Sequence, residues 1–225
     1  MDDFDVTLQL VIEERVSVLF QIERTIFTNR YSLSSKDKEI FSIQSISMIY
    51  SIWEGFIQTS FNLYIDEINK LNIDFVDFCD EILIHHMENS FKQFKQYPDK
   101  DSKKVKFFRD LQVFQVNGTP QISRIVDTES NVSFNVLNKL LKTFSLELFT
   151  EYWGDYKYPA PNLKESMDLL LKLRNTVAHG GDLMPEHRID QEKYVRFKIL
   201  ITDLMYEVRI RMLDGLNQKT FTTKL

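Results

Sequence analysis

The chain has 225 residues, 43% of them hydrophobic, enough to build a sizeable buried core. Its 28 Lys and Arg against 33 Asp and Glu leave a formal charge of −5, which excludes a protein that coats nucleic acid through overall positive charge. One cysteine, Cys79, excludes an internal disulfide and a cysteine-rich zinc ribbon, and 6 Gly and 5 Pro with 27% charged residues argue against disorder.

From Asp5 to about Asn29, the residues Leu8, Ile12, Val16, Leu19, Ile22 and Ile26 recur every three or four positions, the spacing of an amphipathic helix. After a polar break, a second helix opens at Ser34 or Ser35 and runs to about Asn69. Its apolar stripe holds Ile43, Ile46, Tyr50, Trp53, Ile57, Phe61, Tyr64 and Ile68. At about 1.5 Å per residue it would extend on the order of 50 Å, unless Gly55 kinks it. Residues 74–96 read as a third helix. Lys92 to Arg109 then carries seven basic and two acidic residues against the acidic background. Beyond it the period changes: Val113-Phe114-Gln115-Val116 and Gln121-Ile122-Ser123-Arg124-Ile125-Val126 flank Asn117-Gly118, a hairpin signal. A helix follows from about Asn131 to Phe144. Pro159 and Pro161 mark a loop, and Asn162 can cap the next helix. The last helix runs from near Asp190 to Gly215, with a frayed tail from Asn217. The expected fold class is all-α, a helical bundle with a small β-hairpin insertion near residues 111–126. Residues 1–225 are expected to form one domain, the basic and hairpin insertion spanning about 92–126. No run of 18 uncharged apolar residues occurs and the Met1-Asp2-Asp3 start is acidic, so a cytoplasmic protein with no membrane partner is expected.

The segment from Asn162 to Gly181 breaks its own pattern. On a wheel of about 100° per residue from Leu163, Met167, Leu170, Leu171, Val177 and Ala178 fall within about 80°, and the polar residues lie opposite. Arg174 lands at about 20°, inside the apolar arc. A guanidinium there is costly unless it is paired or opens onto a cleft. Snorkelling at the end of the stripe and a bridge to a structural carboxylate are the bland readings. His179 adds a second chemical group, because Gly180-Gly181 ends the helix and leaves the imidazole at its terminus. An arginine and a titratable histidine at one helix end can handle a phosphodiester.

Arg174-Asn175-Thr176-Val177-Ala178-His179 matches the R-x4-6-H motif, with its common Asn after the Arg. Trp53-Glu54-Gly55-Phe56 lies in an early long helix, and Thr128-x-Ser130-Asn131 opens a helix upstream of the motif. In this order the chain resembles the HEPN superfamily, in particular the stand-alone bacterial MAE/RiboL-PSP-type branch, over roughly residues 35–215. The resemblance implies a HEPN-like helical bundle that forms a homodimer, with two R-x4-6-H motifs meeting in the interface cleft. Active members are metal-independent endoribonucleases, often toxins or phage-defence effectors; inactive ones bind RNA, nucleotides or a partner protein. The RNA 2′-OH would attack the phosphorus, yielding a 2′,3′-cyclic phosphate and a 5′-OH. His179 would serve as general base or acid, Arg174 would hold the scissile phosphate, and Asn175 would orient the phosphate or the imidazole. Glu54, on the shoulder of its stripe, needs a partner, and Arg174 is the candidate. Ser130 and Asn131 read as helix caps.

Given an RNA substrate, Lys103, Lys104, Lys106 and Arg109 in the basic run are candidate backbone contacts, and Phe107, Phe108 and Phe114 could stack bases or pack in the core. His85, His86, Cys79 and His187 lack zinc-ligand spacing, and Asp99, Asp101 and Lys103 lack the strands and acid separation of a metal nuclease, so no metal or cofactor is expected. Three functional readings remain: a dimeric ribonuclease, toxin or defence effector, with an antitoxin or defence partner possible; a non-catalytic HEPN binding module; and a structural scaffold in which a carboxylate consumes Arg174.

Overall fold

A computed structural model describes residues 2–116, 119–154, 162–179 and 189–223. Among them the regular structure is entirely helical: α1 (Asp2–Phe27), α2 (Ser35–Lys70), α3 (Asp80–Ser90), α4 (Asp101–Val116), α5 (Phe134–Thr143), α6 (Leu163–Ala178) and α7 (Gln191–Gln218). Two single 3-10 turns, Phe75–Asp77 and Lys92–Phe94, flank α3, so the expected third helix over 74–96 is a shorter helix between two turns.

The helix starts follow local chemistry. Ser34, Ser133 and Asp190 each accept a backbone N–H three residues on, and Asn162 forms a reciprocal capping box with Glu165. α2 runs unbroken through Gly55 and packs against α1, α6 and α7. It has the length and hydropathy of a membrane span, yet its large apolar residues, Ile46, Tyr50, Trp53, Phe56, Ile57, Phe61 and Tyr64, are buried in the bundle core. Leu8, Ile12 and Leu19 of α1 and Leu200, Ile201, Leu204 and Val208 of α7 complete that core. Burying each such side chain contributes about 1.5–3 kcal/mol, which is why this three-helix contact dominates the fold.

The expected hairpin at 111–126 does not form. Residues 111–116 are the end of α4, with Phe114 packed edge-on against Phe75 and Phe91. Asn117-Gly118 lies outside the described residues. In the second supposed arm, both backbone groups of Ile122 are taken by the Asn69 side chain, N–H to Oδ1 at 2.6 Å and C=O from Nδ2 at 3.1 Å. The Ser123 carbonyl meets His85 Nε2 at 3.0 Å. Side chains of α2 and α3 thus replace the ladder that a partner strand would supply.

The tail is not frayed either. α7 continues to Gln218, Lys219 adopts a left-handed conformation (φ 51°), and the Phe221 ring is fully buried against Tyr64. The Phe221 carbonyl accepts the Cys79 N–H at 3.0 Å, and Thr223 N–H donates to the Asp77 carbonyl at 2.9 Å. Lys224 and Leu225 lie outside the described residues.

Candidate functional site

Three segments converge around Arg174. The first is one face of α2. Tyr50 and Trp53 grip both backbone groups of Val132: the Tyr50 hydroxyl accepts the Val132 N–H at 2.5 Å, and Trp53 Nε1–H donates to its carbonyl at 3.3 Å. Burial pushes the Tyr50 phenol up to about 12, so its ring remains neutral at ordinary pH. One turn on, Glu54 Oε1 accepts the Thr128 hydroxyl at 3.3 Å.

The second segment is the turn so held. Glu129 and Ser130 both adopt left-handed conformations (φ 51° and 56°), and the Asn131 N–H closes the turn onto the Thr128 carbonyl at 2.9 Å. This reversal places Asn131 opposite α6. The helix cap expected of Ser130 and Asn131 belongs instead to Ser133, whose hydroxyl accepts the Val136 N–H at 3.2 Å.

The third is the C-terminal end of α6, where Leu170 and Leu173 are buried and Arg174 is half-buried on the same side. Its Nη1 donates to Asn175 Oδ1 at 2.8 Å and to Asn131 Oδ1 at 3.3 Å. The guanidinium carbon lies 4.8 Å from the centre of the Tyr50 ring, within cation–π range. All three partners are neutral. Among the described residues no carboxylate lies within ion-pair distance of Arg174. The expected Glu54–Arg174 pair is therefore replaced by two separate contacts, Glu54 to Thr128 and Arg174 to the amides and the ring.

α6 ends at Ala178, and His179 forms its C-cap, the backbone N–H returning to the Asn175 carbonyl at 3.1 Å. Gly180-Gly181 lies outside the described residues. The His179 imidazole is exposed and takes no hydrogen bond from the described residues. An open groove runs along this side of α6, lined by Asp168, Leu171, Lys172, Asn175, Thr176 and His179. Arg174 is not among its walls. Asn175 is the common member: its side chain holds the guanidinium and also lines the groove of His179.

The basic candidates lie apart from this constellation, on α4. Lys103 and Lys106 line a groove; Lys104 pairs with Asp101 at 3.4 Å and lies over the Tyr97 ring; Arg109 is exposed. Among the described residues no three His, Cys, Asp or Glu side chains cluster as a metal site requires. His85 contacts Ser123 and Asn89, and Cys79 Sγ lies 2.9 Å from Ser145 Oγ; His187 is outside the described residues.

Sequence reasoning passed over Asn131, Thr128 and the Tyr50 ring as parts of this arrangement. The available signal was the polar island from Asp127 to Asn131 before an apolar helix, too short to show which side chain turns inward. No curated protein and no solved structure matches the chain. A family model does: the one described as RiboL-PSP-HEPN matches residues 13–214, nearly the whole length and every residue of the Arg174 constellation, and the chain belongs to that family of the HEPN superfamily.

Proposed function

We propose that this protein is a metal-independent endoribonuclease that acts as a homodimer, a toxin or phage-defence effector. Family membership supports a nuclease or nucleotide-related role in general. The observation that carries the sharper reading is the electrostatic state of Arg174: a half-buried guanidinium held by two amide oxygens and an aromatic face, with its charge uncompensated among the described residues. Such a group is preorganised for an anion, because the neutral partners fix its direction and leave its charge to the ligand.

The chemistry follows from the side chains. The 2′-oxygen of RNA bonds to the adjacent phosphorus as the bond to the 5′-oxygen breaks, leaving a 2′,3′-cyclic phosphate and a 5′-hydroxyl. His179 accepts the 2′-OH proton or supplies one to the departing 5′-oxygen. Arg174 balances the charge on the non-bridging oxygens, and Asn175 links the two. Since Arg174 does not line the groove of His179 within one chain, a second α6 terminus facing the first across a two-fold axis would complete the site.

The test is RNA cleavage by purified protein in EDTA. Wild type should cut and His179→Ala should not; equal cutting by both, or none by either, overturns the reading. One observation favours a second reading, a non-catalytic module that binds RNA, a nucleotide or a protein: no described residue fixes the tautomer of the His179 ring. Binding that survives His179→Ala, with no turnover by wild type, would select it.

A further inference from the structure

The charge of this chain is unevenly distributed. Residues 92–109 carry a formal +5, while the remainder carries −10. The folded segment gathers part of that charge around one groove. α4 packs back on the turn at 92–94 and the loop after it, and between them lies a groove of about 820 Å³, within the size range of ligand clefts. Lys92, Lys100, Lys103 and Lys106 line it, and none is in an ion pair among the described residues. Arg124, Lys139 and Lys164, by contrast, each sit beside a carboxylate. Asp99 and Asp110 also line the groove, leaving a formal excess of two positive charges.

Part of the groove wall is aromatic, formed by Tyr97 and Phe107. Phe107 is buried and meets Phe91, Phe94 and Tyr97 edge-on, with centroids 5.4–6.3 Å apart. These rings form a cluster outside the main core and fix α4 against the turn. Tyr97, which lines the groove with Phe107, nevertheless remains about half exposed beside the lysines; Phe94 and Phe108, equally exposed, lie outside its walls. Lysines at a groove with an exposed aromatic ring are the pairing that single-stranded nucleic acid uses, ammonium groups for phosphates and a ring face for an unpaired base.

We propose that this groove binds the phosphodiester backbone of single-stranded RNA, at a site made by α4 and residues 92–100 and separate from the α6 terminus. The choice of RNA rests on the ribonuclease reading; the site itself rests on the lysines and rings. An acidic protein segment would use the lysines but leave the exposed Tyr97 ring without a role.

The experiment titrates a labelled, unstructured RNA of about 12 nucleotides, within the range of single-strand site sizes, into full-length His179→Ala protein and follows fluorescence anisotropy at several salt concentrations. Replacing Lys92, Lys100, Lys103 and Lys106 together with Ala should weaken binding at least roughly tenfold and reduce the slope of log affinity against log salt by about 3. Tyr97→Ala should weaken binding about fivefold or more and leave the slope unchanged. Circular dichroism matching the parent shows that each variant is folded. Unchanged affinity and slope in the quadruple variant overturn the site, and polyglutamate displacing the RNA at equal charge concentration overturns RNA as its occupant. Lysine-dependent binding with no cleavage by wild type leaves the groove standing and removes the nuclease; cleavage with lysine-independent binding does the reverse.

Discussion

Two arginines project from the apolar faces of neighbouring helices, and their surroundings differ in one respect. Arg211 on α7 is 7% exposed and stacks at 4.3 Å on Phe149; its Nη1 lies 3.0 Å from Glu147 and its Nη2 3.1 Å from Glu207. Arg174 on α6 also stacks on a ring, but its remaining partners among the described residues are amides. Where two carboxylates surround the guanidinium, the charge is consumed and the residue serves the fold. Where only neutral groups hold it, orientation is fixed and the charge remains available. The scaffold reading of Arg174, which needs a carboxylate to absorb it, has none among the described residues.

The comparison breaks most visibly in activity. His179→Ala and Arg174→Ala should each lower RNA cleavage by about 10²–10⁴-fold, measured under single-turnover conditions. Arg174→Ala should at the same time shift unfolding by less than about 1 kcal/mol, since no charge is left unpaired. Arg211→Ala should behave in the opposite way. It removes the cation beside the largely buried Glu207 and the guanidinium packed on Phe149, and urea unfolding should show a loss of about 1–2 kcal/mol, with cleavage per folded molecule unchanged. Asn131→Asp sharpens the contrast by giving Arg174 the kind of partner Arg211 has. Cleavage should fall about tenfold, equivalent to 1.4 kcal/mol, while the urea midpoint stays level or rises; a variant as active as wild type would show that free charge on Arg174 is not what the site uses.

A third buried polar group, His86, is held with no charge at all. It is 5% exposed, both ring nitrogens lack hydrogen-bond partners among the described residues, and its ring lies 5.0 Å from that of Phe114. Burial, with a smaller contribution from His85, lowers its pKa to about 4. Between about pH 6.5 and 4 the unfolded chain therefore binds the proton that the folded chain refuses, and stability falls with pH across that window. The deficit reaches its full value below pH 4. At about 1.4 kcal/mol per pH unit it amounts to a few kcal/mol, and unfolding free energies at pH 7 and 4.5 should lose most of that component of their difference in His86→Leu.

The parts of the fold legible in the sequence are those written in long apolar periods. α1, α2, α6 and α7 follow stripes of three and four, and Arg174 stands out because the α6 stripe around it is otherwise clean. α4 was obscured by its charge, although Phe107, Leu111 and Phe114 keep a helical spacing and two of the three pack in the satellite aromatic cluster. The β-branched run 121–126 imitates a strand because local composition does not reveal that Asn69, 53 residues earlier, satisfies the Ile122 backbone. The Arg174 environment was half legible for the same reason. Its position follows from the wheel, but the Asn131 partner depends on two consecutive left-handed residues and a grip on Val132 from α2. Side chains that reach across the chain to hold backbone leave no periodic trace.

The anchored C-terminal segment has a practical consequence. Phe221 and Thr223 hold the backbone at Asp77 and Cys79, directly before α3, and α3 carries the His86 against which the lysine-bearing helix packs. A cut after Lys219, or a bulky affinity tag that pries the last residues loose, would withdraw a ring from beneath Tyr64 and unfasten the root of the basic arm.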